Sequence, residues 1–573
     1  MQKTDFRHLY TAAGKALDGQ PWADAYPRPQ LRRNSFFNLN GRWDFTVSAA
    51  DTLPETYPEQ ILVPYPPQSL LSGIHRVIPE GQFLFYRTAF PRPEGSGRLL
   101  LHIGAADQIA AVFLNGTQVG EHTGGYEAFS LDITDTVTDE NTLVIRVVDH
   151  MSRCVLPYGK QRKKRGGMWY TPVSGIWQTV WLERVPEVYV RRLHIRPEEN
   201  GVRITADGVD SGTITVETPE GSLTADLIGG QAELHFTAPR LWSPEDPYLY
   251  HFTLESGEDT VRSYFALRTL SVRTVDGHPR LCLNGKPYFF HGLLDQGYWS
   301  DGLFTPAAPE YFAQDILAMK ALGFNTLRKH IKVEPEQFYY DCDRLGMVVF
   351  QDMVNNGGYS FLRDTALPTV GMKRFPDRHL HANNESRRAF LHAMEQTVRQ
   401  LENHPSICLW TIFNEGWGQF ESGRVYRRLK TLDDTRFIDT VSGWFVNAHT
   451  ESDVVSEHTY FKPFRPRAAD KPLVLSEFGG YALTLPEHAF NPANEYGYRR
   501  FTDPAEYERA LVNLYETEIV PAVKEGLCAA IYTQVSDVED ETNGLLTYDR
   551  AVCKISSDAM RPIAEKLRIP HDP

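Results

Sequence analysis

NTLRKHIKVEPEQFYYDCDRLGMVVFQD, Asn325 to Asp352, is the stretch whose reading decides the fold. A short apolar run, NTLRKH, passes into a helical stretch, VEPEQFYYDCDRLG, and then into a second apolar run, MVVFQD. Strand, helix, strand in that order is a crossover connection and implies parallel strands. The same rhythm continues on both sides of this unit. Eight strands are predicted after Thr274: PYFFHG, NTLRKH, GMVVFQD, ICLWTIFNE, RFIDTVSG, DVVSEHTY, PLVLSEFG and LCAAIYTQVSD. Eight strands in about 300 residues is the arithmetic of a (β/α)8 barrel.

Upstream the rhythm is different. From Leu31 to Arg184 short alternating runs (RWDFTVS, QFLFYRTAF, GRLLLHIG, AAVFLNGTQVG, NTLVIRVVD) are separated by Gly, Pro, Asn and Asp turns, the pattern of a jelly-roll sandwich. Val185 to Arg273 repeats it on the scale of an immunoglobulin-like sandwich. The expected fold class is therefore multidomain α/β plus all-β: an N-terminal jelly-roll β-sandwich over residues 1–184, an immunoglobulin-like β-sandwich over 185–273 and a C-terminal (β/α)8 TIM barrel over 274–573. The Pro- and Gly-containing stretch near 368–376 is expected as a loop above the barrel.

A chain of 573 residues is too long for one core. Its net charge of −14 argues against nucleic acid or an anionic membrane, which normally call for a basic face, and neither is an expected partner. The basic run KQRKKR, Lys160 to Arg165, reads as a solvated or substrate-side loop. Six cysteines without a CxxC pair read as free thiols, and the first residues lack a signal-peptide h-region, so a cytoplasmic location is expected. The 10 Trp and 27 Tyr suit a protein that packs sugar faces on rings.

In such a barrel, reactive groups lie at the C-terminal ends of strands. Strand four ends in Asn414 and Glu415, and strand seven in Ser476 and Glu477. Arg328 and His330 close strand two, Asp352 strand three, and His458 with Tyr460 strand six. Two glutamates facing each other across the mouth, about 5 Å apart, are what glycosidic cleavage with retention requires. Arg328 suits the cation beside an ionised nucleophile, Asn414 a donor to the sugar 2-hydroxyl, and Tyr460 a hydroxyl that holds or protonates the nucleophile.

These residues carry a family resemblance. WTIFNEGWGQF (Trp410 to Phe420) resembles the acid/base signature of glycoside hydrolase family 2, and LSEFGG (Leu475 to Gly480) its nucleophile strand. FFNLNGRWDF, FYRTAF, VFLNGTQVGEHTGGYEAFSLDIT and GIWQTVWLE are similar to its sugar-binding domain, and LWSPEDPYLY to the end of its immunoglobulin-like domain. The resemblance implies Glu415 as acid/base and Glu477 as nucleophile of a retaining exo-β-glycosidase.

Departures fall in the substrate pocket. Familiar β-galactosidases and β-glucuronidases of the family carry Arg-Gly-Val-Asn-x-His after strand one, whereas this chain has HGLLDQGYWSDGLF, which makes Asp295 and Trp299 candidate sugar contacts. Trp444, beyond strand five, is another. The Asn-x-Lys element with which β-glucuronidases of the family grip a uronate is absent from VEDETNGLLTYDRAVCK, so β-galactoside ranks first, β-glucuronide second and an arabinoside third, with Lys329 and Lys332 as the cations that keep glucuronide open. No cofactor or metal is predicted. The expected partner is a carbohydrate or glycoside, in a possible homo-oligomer. From another class, the alternative is a carbohydrate-binding protein with an inactive barrel. The Lys160 to Trp169 loop is expected to narrow the barrel mouth and favour exo action.

Overall fold

The computed structural model describes residues 6–17, 19, 21–198, 200–367, 377–381, 383–443 and 451–569. Trp444 and the 368–376 stretch lie outside the described residues. Two antiparallel sheets form the N-terminal jelly-roll sandwich. One places Glu59–Val63, Gly41–Ser48, Phe83–Pro91, Glu140–Val148, Ile109–Leu114 and Thr117–Thr123 side by side, and the other Phe37–Asn38, Val180–Val185, Arg98–Ile103 and Phe129–Asp132. Period-two alternation builds the interface between them. In Gly41–Ser48, Trp43 and Phe45 are buried while Arg42 is exposed and Asp44, between the two rings, is half-buried, and both rings join a core with Tyr86, Leu101, Val112 and Ile145.

Seven antiparallel strands from Arg192–Glu198 to Asp259–Phe265 enclose a separate core of Ile204, Ile214, Val216, Leu227, Phe252 and Val261, the immunoglobulin-like sandwich. It is fixed to the barrel by directional bonds. Trp242 Nε1 donates to the Asp343 carbonyl at 2.7 Å, and the Tyr264 hydroxyl to the Asp343 carboxylate at 2.7 Å.

The barrel strands are β1 (Phe290–Asp295), β2 (Thr326–Lys329), β3 (Val348–Asp352), β4 (Ile407–Asn414), β5 (Phe437–Ser442), β6 (Val455–Thr459), β7 (Leu473–Gly479) and β8 (Leu527–Thr533). They pair in parallel in the order β5, β4, β3, β2, β1, β8, β7, β6. Asp453 N donates to the Ile438 carbonyl at 2.9 Å and joins the two ends of that order. Between β2 and β3 the helix Glu336–Leu345 ends at Gly346, whose φ is +73° and where a Cβ would lie 2.6 Å from the Pro244 carbonyl oxygen. The register puts Leu294, Arg328, Phe350 and Leu409 in one layer and Asp295, Lys329, Gln351 and Trp410 in the next, facing the opposite side of the sheet. Leu294, Phe350 and Leu409 pack with Phe290, Val474 and Ile531 in a common cluster, so Arg328 shares the apolar face of the strands with them.

All six cysteines are free, with Cys282, Cys342, Cys408 and Cys528 buried. No helix among the described residues is long and apolar enough to cross a membrane.

Candidate active site

Arg328 organises the strand ends. Its Nε and Nη2 donate to the two oxygens of Asp352 at 3.0 and 2.9 Å, Nη2 also to Asn414 Oδ1 at 2.9 Å, and Nη1 to Glu477 Oε1 and the Ser476 carbonyl, both at 3.0 Å. A planar guanidinium meets this set of acceptors as an ammonium could not. His330 adds a 2.7 Å bond from Nδ1 to Asp352 Oδ2. Burial lowers the His330 imidazole despite the pull of Asp352. Because Arg328 is 1% exposed, Arg328→Met leaves Asp352 and Glu477 without their counter-charge. We expect it to destabilise the protein by about 3–5 kcal/mol, seen as a lower denaturation midpoint in calorimetry; an unchanged midpoint refutes this role.

Glu477 leaves β7 toward the mouth, and the Tyr460 hydroxyl donates to its Oε2 at 2.6 Å. The Tyr460 ring stacks on Tyr498 with centroids 3.8 Å apart, and its hydroxyl lies 2.9 Å from Thr533 Oγ1. Burial alone would raise the Glu477 carboxyl, but His458, Arg328, His330 and the Tyr460 hydroxyl outweigh it and hold it at about 2. Glu477 is thus an anion at neutral pH.

Glu415 stands just past β4 in the left-handed region, φ +50°, with its N–H bonded to the Ser442 carbonyl at 2.9 Å. A non-glycine residue in that region is strained, and such strain collects at functional sites. His458 Nδ1 lies 3.0 Å from Glu415 Oε1 and 3.5 Å from Glu477 Oε2. A lone pair facing two carboxylates would be repelled, so a proton belongs between His458 and Glu415. Ser442 Oγ, which donates to Ser476 Oγ, is 2.9 Å from Nε2 and fixes the ring. Glu415, His458 and Glu477 offer ligand atoms within 4.8 Å of one another. A divalent cation there would engage both carboxylates and take them out of acid–base and nucleophilic work.

The structure gathers Arg328, His330, Asp352, Asn414, Glu415, His458, Tyr460 and Glu477 at one end of the barrel. Asn414 Nδ2 has no partner among the described residues, which leaves it free to donate to a sugar hydroxyl. Two expected sugar contacts are corrected. The Asp295 carboxylate, on the opposite side of the sheet from Arg328, is bonded to Lys329 Nζ at 2.6 Å and to Gly297 N at 2.9 Å. Trp299 is a core ring, 2% exposed, against Tyr311, Phe312 and the Arg550 guanidinium, and offers no open face. Lys329 and Lys332 are both bonded to Glu334, Lys332 also to two carbonyls, so neither is available to a uronate.

The N-terminal sandwich completes the mouth. Tyr158 N donates to the Asn355 carbonyl at 3.0 Å beyond β3, Arg165 pairs with Glu539 at 2.9 Å beyond β8, and Trp169 packs edge-on against Trp417 at 5.2 Å. The Tyr170 hydroxyl donates to Glu541. Tyr498, Ser442, Gln534 and Glu541 were not among the residues expected from sequence. Except for Ser442 they sit on loops, where no periodicity marks a direction.

Comparison with known proteins agrees with this architecture. The family model described as "Glycosyl hydrolases family 2, TIM barrel domain" matches residues 275–543, and "Glycosyl hydrolases family 2" matches residues 188–268. The β-glucuronidase of Bacteroides fragilis is 28% identical over 417 residues, 66% of this chain and 56% of that protein. That of Homo sapiens is 25% identical over 389 residues, 60% of this chain and 56% of that protein. The chain thus spans little more than half the length of these curated relatives. Among solved structures, a β-glucuronidase of an uncultured Clostridium sp. superposes with a TM-score of 0.72 at 17% identity, over 94% of this chain and 99% of that one. A galacturonate-bound β-galacturonidase from Eisenbergiella tayi gives 0.69 at 18% identity, over 95% and 99%. At these identities the likeness is one of fold.

Proposed function

This chain belongs to glycosyl hydrolases family 2, and from that premise we propose that it is a retaining exo-β-glycosidase. Glu477 attacks the anomeric carbon while Glu415 protonates the departing oxygen. Once the ester has formed, the negative charge of Glu477 is gone, and Glu415 takes a proton from the water that attacks the same carbon. The observation that carries this reading is the spacing of the two carboxylates. One oxygen of each lies within 4.8 Å of the other, which fits the ~5–5.5 Å separation of retaining sites better than the ~6.5–9.5 Å an inverting enzyme needs to seat a water. Arg328 and Tyr460 keep Glu477 ionised and aimed, and Asn414 Nδ2 is placed to donate to the 2-hydroxyl. The loop from the N-terminal sandwich narrows the mouth, which favours removal of one terminal sugar over cleavage within a chain. We also propose the domain limits 1–184, 185–273 and 274–573.

The relatives are named for β-glucuronides and β-galacturonides. By their names a uronide, second in the sequence reading, stands ahead of a galactoside, and both classes belong in any substrate panel. The stereochemistry can be read directly. Proton NMR during hydrolysis of an active β-glycoside is expected to show the β anomer of the released sugar first, with the α anomer rising only by mutarotation. Release of the α anomer first overturns the retaining mechanism.

A further inference from the structure

Two charged groups at the barrel mouth have no role in the double displacement. Glu541, in the segment after β8, accepts at Oε2 from the Tyr170 hydroxyl and from Gln534 Nε2 at 3.2 Å, while Oε1 accepts nothing from the described residues. Gln534 follows Thr533, whose hydroxyl meets the Tyr460 hydroxyl that holds Glu477. A parallel bridge sets Glu541 beside Tyr496, two residues from the Tyr498 ring stacked on Tyr460. Glu541 therefore borders the pocket on the β8 side. Burial raises its carboxyl, and among the groups that pull it back Lys160 acts most strongly.

Lys160 approaches from the N-terminal sandwich. Its carbonyl accepts from Tyr170 N at 3.0 Å, which anchors the backbone, whereas its ammonium has no bond or ion pair among the described residues. The charge of Lys160 reaches both His330 and Glu541. Three other cations on this side are engaged: Arg328 by Asp352 and Glu477, Arg165 by Glu539, and Lys554 by Asp537.

An ammonium and a carboxylate on segments that Tyr170 joins through its N–H and its hydroxyl, with no ion pair between them, fit a hydroxyl, which accepts from one and donates to the other. A ligand carboxylate would satisfy Lys160 but add a third anion beside Glu541 and Glu477, an arrangement that like-charge repulsion opposes. Resting on the glycosidase reading above, we propose that Lys160 and Glu541 read the terminal sugar through a bridging hydroxyl and select a neutral sugar over a uronate. At this end of the pocket the chain then departs from the relatives named for uronides.

Initial rates on the 4-nitrophenyl β-galactoside, β-glucoside, β-glucuronide and β-galacturonide and both arabinosides test the proposal. We expect kcat/KM for the best neutral glycoside to exceed that for either uronide by about 100-fold or more, because unpaired charge in a polar site discriminates strongly. Lys160→Met and Glu541→Gln are each expected to lower that value by about 10- to 100-fold, mainly through KM, and Glu541→Gln to narrow the gap to the uronides. Lys160 is half-exposed, so its variant reports even where the other fails to fold. A uronide faster than every neutral glycoside, or variants that leave the ratio unchanged, overturn the proposal. Calorimetric titration with D-galactose, D-glucose, D-galacturonate and D-glucuronate reads the preference without turnover. Tighter neutral-sugar binding beside a silent rate panel supports the pocket assignment and overturns the glycosidase reading; tighter uronate binding, or no binding of any sugar, overturns the assignment.

Discussion

On the proposed double displacement, Glu477→Ala is expected to lower kcat on the order of 10⁴- to 10⁶-fold, because it removes the carboxylate that would form the covalent intermediate. The fold should survive. Arg328 keeps Asp352, Asn414 and the Ser476 carbonyl as acceptors when Glu477 is gone. Added azide occupies the vacated space and attacks from the same face, so partial rescue with an α-glycosyl azide as product is expected. A folded variant with undiminished turnover would sink the assignment. The carboxyl also links activity to pH. Its value falls from 4.5 to about 2 in the folded protein, because His458, Arg328, His330 and Tyr460 outweigh burial. A depressed value contributes stability above pH 4.5 that disappears as the pH falls toward 2. The stability difference between wild type and Glu477→Gln should therefore shrink across that window in acid titrations followed by circular dichroism. An acidic loss of activity well above pH 2 must arise from another group.

Glu415→Ala should separate substrates by their leaving groups. With an alkyl or phenyl aglycone, loss of the proton donor is expected to lower kcat/KM by about 10²- to 10⁴-fold. A 2,4-dinitrophenyl aglycone departs without a proton, so its first step should change little. The second step then becomes slow, and a burst of dinitrophenol followed by a low steady rate is expected. Azide needs no base, and should raise that rate and give a β-glycosyl azide, the opposite anomer to the Glu477→Ala product. Equal losses for both leaving groups, with no burst, would remove Glu415 from the acid/base role.

Much of the site was legible because strand ends in a parallel barrel all point to one mouth. Arg328, Asp352, Asn414, Glu477, His458 and Tyr460 each close or follow an apolar run, and the structure brings them within bonding distance of one another. Position at a strand end was not sufficient, however. Asp295 ends β1 as Asp352 ends β3, but its register pairs it with Lys329 on the other side of the sheet. Trp299 lies in a loop that folds back under the mouth, where a backbone bridge to Leu303 and packing on Tyr311 enclose its ring. Neither outcome follows from residue type.

By itself the sequence determined the order of strands and helices, the three-part architecture and the carboxylates on strands four and seven. These depend on local periodicity and on motifs contained within one run of residues. Only the tertiary structure decided which polar groups meet. Lys160 and Glu541 are separated by 380 residues of chain, and come together because the Tyr170 hydroxyl and Arg165 fasten a loop of the N-terminal sandwich onto the segment after β8. Pairing across that distance depends on how two domains dock, and docking is fixed by packing and hydrogen bonds summed over the interface, which no single stretch of residues encodes.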